Sequence, residues 1–378
     1  MTNRDSFGDL PAGYEAGYVD SLSNRSHSRS NGHDLNVGFN YSDDTWMFNA
    51  SLGVTPQKRT IDRKVGKLYA DTTMRTIDYQ PMIWLSWRKK KMRVSLNYNG
   101  RTRQPSLSDL MPLTDNSDPL YITRGNPDLK QMFMHTMHVS FQHPSKGISA
   151  NLGWQMEKNS VTQVVLYDVQ TGGRETYPIN INGNWNTYGS ADWWKRFGHF
   201  SLKLSTSGRH SNRVSMINED RSQQPEKSTT RDTGLNCEMA ASYQPTWGGF
   251  DFSTSWDYQY SLNSLNDNNT YTRYYNFRFD GYVDFPFGLQ LRTDAGYILR
   301  SGTNIQKGED DEIVWNARAT WRFLKQRKAE LSAYWADILG KRKSYARMAT
   351  SDGFYESRTQ EIKGYFIVTF KYNFRLMM

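Results

Sequence analysis

Tyr365-Phe366-Ile367-Val368-Thr369-Phe370-Lys371-Tyr372-Asn373-Phe374 alternates along its length. Phe366, Val368, Phe370, Tyr372 and Phe374 fall on one side of an extended chain, and Tyr365, Ile367, Thr369, Lys371 and Asn373 on the other. A period of two is that of a β-strand with unlike faces. The apolar face ends in three aromatics, Phe370, Tyr372 and Phe374, and only Arg375, Leu376, Met377 and Met378 follow. An aromatic edge left open recruits other chains, so this closing strand needs a partner on both sides. A sheet closed on itself supplies one.

Composition allows such a sheet to sit in a membrane. The chain has 378 residues, 37% hydrophobic and 14% aromatic, with a mean hydropathy of −0.78. No apolar run approaches the roughly 18 residues that a spanning helix needs, which excludes a helical membrane protein. Trp 12, Tyr 23 and Phe 18 carry much of the apolar surface. A barrel strand needs only about ten alternating residues, half of them polar and turned to the lumen, so low mean hydropathy is expected. One cysteine, Cys237, excludes an intrachain disulfide and reads as a small strand residue. No Cys/His spacing of the zinc type occurs. The net charge of +9 is scattered; its densest cluster, Arg88-Lys89-Lys90-Lys91, reads as a solvated turn. Met1 to Asp5 leads into polar sequence without the apolar core of a signal peptide.

In chain order, residues 1–32 are rich in Ser, Asn, Arg and Gly without a period and read as an extracellular loop or disordered start. Residues 33–378 read as barrel. Leu35, Val37, Phe39 and Tyr41 face Phe48, Ala50, Leu52 and Val54 across Ser42-Asp43-Asp44-Thr45, a hairpin whose second strand runs on as a polar extension through Arg59 and Asp62. After a loop at about 104–132, Ile148, Ala150, Leu152, Trp154 and Met156 alternate with Ser149, Asn151, Gly153 and Gln155, in a strand continuing to about Asp168. Trp185 to Trp194 is the least regular strand. The pattern then repeats to the C-terminus, giving about fifteen strands.

The connections sort by parity. Counting back from the last strand, a polar loop alternates with a turn of about three to six residues, the asymmetry of outer-membrane barrels with short periplasmic turns and longer outside loops. The fold expected is all-β, an antiparallel transmembrane β-barrel. Asn316, Arg318, Thr320 and Arg322 oppose a Trp-rich face, and an arginine on the lipid side near mid-bilayer would cost about 2–4 kcal/mol. Arg318 and Arg322, with Asn151 and Gln155, are therefore expected to line the lumen. The same parity puts Met1 outside, whereas a complete barrel with an even strand number has both ends in the periplasm. The expectation is the C-terminal portion of a larger protein, with about seven strands missing from a 22-stranded barrel of the plugged kind.

The loop Arg103-Gln104-Pro105-Ser106-Leu107-Ser108-Asp109-Leu110-Met111-Pro112, then Asp115-Asn116-Ser117-Asp118-Pro119-Leu120 and Gly125-Asn126-Pro127-Asp128-Leu129-Lys130, resembles the mid-barrel segment of TonB-dependent receptors. It is most similar to the receptor-like outer-membrane β-barrel family, with its Pro-Ser, Asp-Asn-Ser-x-Pro and Gly-Asn-Pro-x-Leu runs. Tyr365 to Phe374 and Trp335-Ala336-Asp337-Ile338-Leu339 are similar to that family's last two strands. Gln131-Met132 departs from the Pro-Glu usual after the lysine, and the family's plug, TonB-contacting segment and signal peptide are absent. The resemblance implies import of a ligand too large for porins by the intact parent, which contacts the TonB complex only through its missing N-terminal plug. The alternative is a non-transporting barrel that binds or scaffolds at the surface, or a truncated remnant.

Physically, Pro105, Pro112, Pro119 and Pro127 deny the loop helix and central-strand geometry. Gly125 allows a positive φ, and Asn116 and Asp118 can turn the backbone with their side chains. Asn116, Asp118, Pro119, Gly125, Asn126 and Pro127 form the candidate loop site, either contacting a ligand or capping two strands rigidly. No catalytic, metal or cofactor residue stands out. His135 and His138, three apart on a strand, fall on opposite faces, and Glu219-Asp220 and Asp310-Asp311-Glu312 read as solvated loop charges. The partners expected are outer-membrane lipid and an unknown extracellular ligand, with no nucleic acid. Aromatics alternate strand after strand here instead of forming one base-stacking platform.

Overall fold

The computed structural model describes residues 2–4, 7–8, 17–18, 24–65, 68–112, 114–115, 118, 120–168, 170–218, 225–265, 269–303, 305, 311–350, 353–359 and 361–373. Three short pieces, β1 (Thr2–Arg4), β2 (Phe7–Gly8) and β3 (Gly17–Tyr18), precede β4 (Asn24–Gly32) and β5 (Leu35–Ser42). Next come the tall hairpin β6 (Trp46–Val65) and β7 (Leu68–Lys89), then β8 (Met92–Arg103). The loop that follows holds one helical turn, Leu107–Leu110, and the short β9 (Thr114–Asp115) and β10 (Tyr121–Arg124). The chain continues through β11 (Met132–His143), β12 (Ile148–Lys158), β13 (Ser160–Tyr167), β14 (Arg174–Ile181), β15 (Trp185–Phe197) and β16 (Phe200–Asn218). After these run β17 (Glu226–Tyr243), β18 (Gly248–Asn263), β19 (Thr270–Asp284), β20 (Leu289–Gly302), β21 (Glu312–Phe323) and β22 (Ala329–Ala336). A loop hairpin of β23 (Ser344–Thr350) and β24 (Gly353–Thr359) leads to the last strand, β25 (Tyr365–Tyr372).

The large sheet is antiparallel between successive wall strands. β4 and β5 pair in sequence along β6 and make one pass. With β6, β7, β8, β11, β12, β15 to β22 and β25, the described residues give fifteen passes through the wall, the number read from the sequence. The two faces keep their identity across every ladder. On one, Leu204 pairs with Met239, Ala241 with Phe252, and Phe279 with Ala295. On the other, Ser205 pairs with Glu238, Asn236 with Asp257, and Asp294 with Asn316. A slip of one residue would exchange the faces of a whole strand, so the alternation itself fixes the register.

The apolar face looks outward. Leu152 is 55% exposed and Trp335 48% exposed, values that would be costly in water and are natural against acyl chains. Rings gather near the ends of the strands: Trp46 with Trp87 and Tyr243 with Phe250 by the short turns, and Trp256 with Tyr258 further along. Phe250 to Tyr258 is about 27 Å of strand at roughly 3.4 Å per residue. That matches in scale the apolar band of about 25 Å between aromatic girdles.

The ends of the wall differ, as expected. Short turns join β5 to β6, β7 to β8, β11 to β12, β15 to β16, β17 to β18, β19 to β20 and β21 to β22, all at one end; the longer connections lie at the other. The order of the sheet runs from β22 through β25 to β4 and so returns to its start. That seam is thin. β25 keeps a full ladder with β22, from Ala329 opposite Tyr372 to Ala336 opposite Tyr365, but among the described residues no registered run of pairs joins β25 to β4 or β5. Every residue of β5 and β25 is exposed.

Three expectations need correction. Residues 24–32, read as loop, form β4, which pairs with the polar extension of β6 from Gly32 opposite Gln57 to Asn24 opposite Val65. This stretch is wet on both faces, so no hydrophobic period marks it. The strand expected to run unbroken from Ile148 to about Asp168 divides at Asn159, whose φ of 55° turns β13 out of line with β12. Asp311 and Glu312, read as solvated loop charges, are instead engaged at the start of β21: Glu312 is partly buried and paired with Arg300 at 3.0 Å, and Asp311 accepts from the Arg300 N–H at 3.0 Å. Glu219-Asp220 and Asp310 lie outside the described residues.

Candidate functional site

Packed apolar interior is concentrated at the long-loop end. Leu110, Met111, Leu129 and Val164 are each no more than 4% exposed, and Pro105 is buried with them. They lie where the 104–131 loop folds over the β13–β14 hairpin. Ser106 caps the helical turn, its hydroxyl accepting from the Asp109 N–H at 3.1 Å. β10 pairs with β14 in parallel from Tyr121 opposite Arg174, and Arg124 ion-pairs with Glu175 while its guanidinium lies 5.2 Å from the Tyr177 ring centre.

Of the six loop residues singled out, Asn126 ties most together. Its N–H donates to the Asp109 carbonyl at 2.5 Å, its side-chain amide donates to the Pro178 carbonyl at 3.0 Å, and its side-chain oxygen accepts from the Asp128 N–H at 3.0 Å. Asp118 turns the backbone as expected, accepting from the Leu120 N–H at 2.9 Å. Gly125 corrects the expectation of a positive φ, for it is not among the residues that adopt one. It is needed for close approach, because a Cβ there would fall on the carbonyl oxygen of Met111. Pro127 is exposed beside it. Asn116 and Pro119 lie outside the described residues. Among its described residues the loop is a cap fastened to its neighbours, with Asp118, Gly125 and Asn126 spent on its own fold.

The wall residues fall on the polar face. Asn151 stands opposite Ser190 and donates to its hydroxyl at 3.4 Å; Gln155 stands opposite Asn186. Arg318 lies over the Tyr334 ring at 4.7 Å, and Arg322 is paired with Glu330 at 2.8 Å. His135 and His138 do face opposite ways: His135 meets the Tyr98 hydroxyl at 2.9 Å on the apolar face, whereas His138 sits opposite Asn97 and Gly153. Cys237 lies on the apolar face, opposite Trp256. On the closing strand, Phe370 stands opposite Leu331 and Tyr372 opposite Ala329; Phe374 lies outside the described residues.

A hollow of about 660 Å³ opens on the polar wall just below the cap. Its floor is two lateral rows fixed by register. Gly153, Tyr188, Arg209, Gly234 and Gln259 form one, and Gln155, Asn186, Ser211, Asp232 and Ser261 the other. The glycines shape it. A Cβ at Gly153 would collide with the Tyr188 ring, and one at Gly234 would crowd the Arg209 side chain. Ring and guanidinium therefore lie flat, each over its own glycine, and splay apart. Arg213 closes one side, paired with Asp232 at 2.7 Å, and Asp232 also accepts from Ser261 at 2.8 Å. Sequence reasoning missed Tyr188 and Arg209. The one signal was their parity with Asn186 and Ser211, and it acquires meaning only once the strands are in register.

A family model described as an outer membrane protein beta-barrel family matches residues 73–230, a span that includes the cap and the side of the hollow built by β12, β15 and β16. No curated protein matches the chain. Among solved structures, OmpT, an outer membrane protein of Vibrio cholerae, is similar at 8% identity and a TM-score of 0.31, over 92% of this chain and 97% of that one. A bacterial polysaccharide outer membrane secretin is similar at 10% identity and a TM-score of 0.27, over 94% and 100%. The family match, the two-faced antiparallel wall and the sorted connections lead to one conclusion: the chain is a β-barrel protein of the outer membrane.

Proposed function

We propose that this chain is the barrel part of a TonB-dependent receptor, which binds a ligand too large for porins at its long-loop end and passes it along the polar face once a plug moves aside. The observation that carries the reading is the run from Pro105-Ser106 through Asp115-Asn116-Ser117-Asp118-Pro119 to Gly125-Asn126-Pro127-Asp128-Leu129. It resembles that family's mid-barrel segment and sits as a fastened cap beside a polar hollow. Partners on this reading are outer-membrane lipid on the apolar face, an extracellular ligand on the polar one, and the TonB complex through the plug of the parent protein. No catalytic, metal or cofactor chemistry and no nucleic acid enters it.

Sequencing the genomic DNA upstream of Met1 tests the proposal. The expected result is a continuous reading frame encoding a plug and a TonB-contacting segment. A promoter and ribosome-binding site directly before Met1 would contradict it.

A further inference from the structure

We infer that the hollow around Tyr188 is a binding site for a neutral carbohydrate, which takes one sugar ring on the tyrosine face. The inference deepens the import reading and rests on it for the ligand's route, but the site's chemistry comes from its own residues. Tyr188 is 44% exposed although its ring is laid across Gly153. One aromatic face rests on backbone while the other is open to a ligand. A pyranose ring presents axial C–H groups in a flat apolar patch that such a face accepts.

The surroundings exclude other classes. Asn186, Ser211 and Gln259 each carry both a donor and an acceptor, and among the described residues none of the three is engaged in a side-chain hydrogen bond. Vicinal hydroxyls, themselves donor and acceptor, match that inventory. An apolar ligand would bury these groups unpaired, at a cost that outweighs the stacking. The charges lining the hollow balance, Arg209 and Arg213 against Glu157 and Asp232, so neither a strong anion nor a strong cation is favoured. The hollow is built from β12 and β15 to β18, consecutive neighbours in mid-sheet, and does not depend on the thin seam at β25.

The test uses the full chain in a detergent without a sugar head group, lauryldimethylamine oxide, laid on an array of neutral hexose, pentose and N-acetylhexosamine oligosaccharides. Titration calorimetry then follows with the best retained oligosaccharide. Loss of a stacking ring is expected to weaken binding by about tenfold or more in Tyr188→Ala, with Tyr188→Phe within about threefold of the native chain. Gly153→Ala, which keeps the tyrosine but dislodges its ring, is expected to behave as Tyr188→Ala does. Retention of no neutral oligosaccharide, preference for a charged one, or unchanged affinity in Tyr188→Ala would each overturn the inference. Failure of the import reading is distinguishable: binding with these variant effects, by a protein whose host takes up none of the sugar, removes transport and leaves the site.

Discussion

The cap and the hollow lie side by side at the long-loop end and are built on opposite rules. In the cap, apolar side chains are buried and polar ones are tied down; Asn126 alone joins three segments. In the hollow, Tyr188 and Arg209 lie flat on glycines with their working faces open. The cap carries the recognisable motif and the hollow carries none. Residues that fix a loop's own shape must keep their spacing in sequence, because the loop is local. Residues that face a ligand across five strands are brought together by register and leave no linear trace.

That contrast can be broken most severely at Gly125. Its alanine variant places a methyl group on backbone that cannot withdraw, and we expect loss of the cap at a cost of about 3 kcal/mol or more. Limited proteolysis should then cut between residues 104 and 131; native resistance in Gly125→Ala would refute the close-approach argument. Leu110→Ala, at a side chain 1% exposed, is expected to cost about 2–5 kcal/mol, read as faster amide exchange through β13 and β14 with β18 and β19 unchanged. Tyr188→Ala should leave stability within about 0.5 kcal/mol in urea titrations from micelles. A larger loss would mean that the ring supports the wall.

The smallest effect belongs to neither region and calibrates both. Asp43 closes the β5–β6 turn: its carboxylate accepts from the N–H groups of Trp46 and Thr45 and from the Tyr41 hydroxyl. The Trp46 N–H, then the Tyr41 hydroxyl and the Thr45 N–H, hold this carboxyl below the usual aspartate value of 3.8. A lowered folded pKa contributes stability that is present above the unfolded value and lost as pH falls through the folded one. Amide exchange at Thr45 and Trp46, corrected for its intrinsic rate, should therefore accelerate below that range in the native chain. Asp43→Asn should show no such step.

Most of the wall was legible because a membrane barrel writes its fold as alternation. Phe366 to Phe374, Ile148 to Met156 and the parity of the connections were enough for fifteen passes and their faces. β4 was not legible, because a strand with water on both sides has no reason to alternate. The break at Asn159 depends on one residue at positive φ, and the true use of Gly125 depends on where Met111 arrives. Of the site, Gln155 was placed on the polar face from sequence. Tyr188 was passed over, since the floor it shares with Arg209 and Gln259 spans β15, β16 and β18.

Which face of the wall meets lipid decides where the hollow opens, and Cys237 offers a direct reading because it lies on the apolar face opposite Trp256. Outer-membrane vesicles carrying the native chain would be treated with a lipid-soluble maleimide or a membrane-impermeant sulfonated one, alongside Arg318→Cys in a Cys237→Ser background. The prediction is that Cys237 reacts with the lipid-soluble reagent alone and the thiol at position 318 with the aqueous one. The reverse pattern would mean that the faces are inverted, and the hollow and its ligand would fall with them.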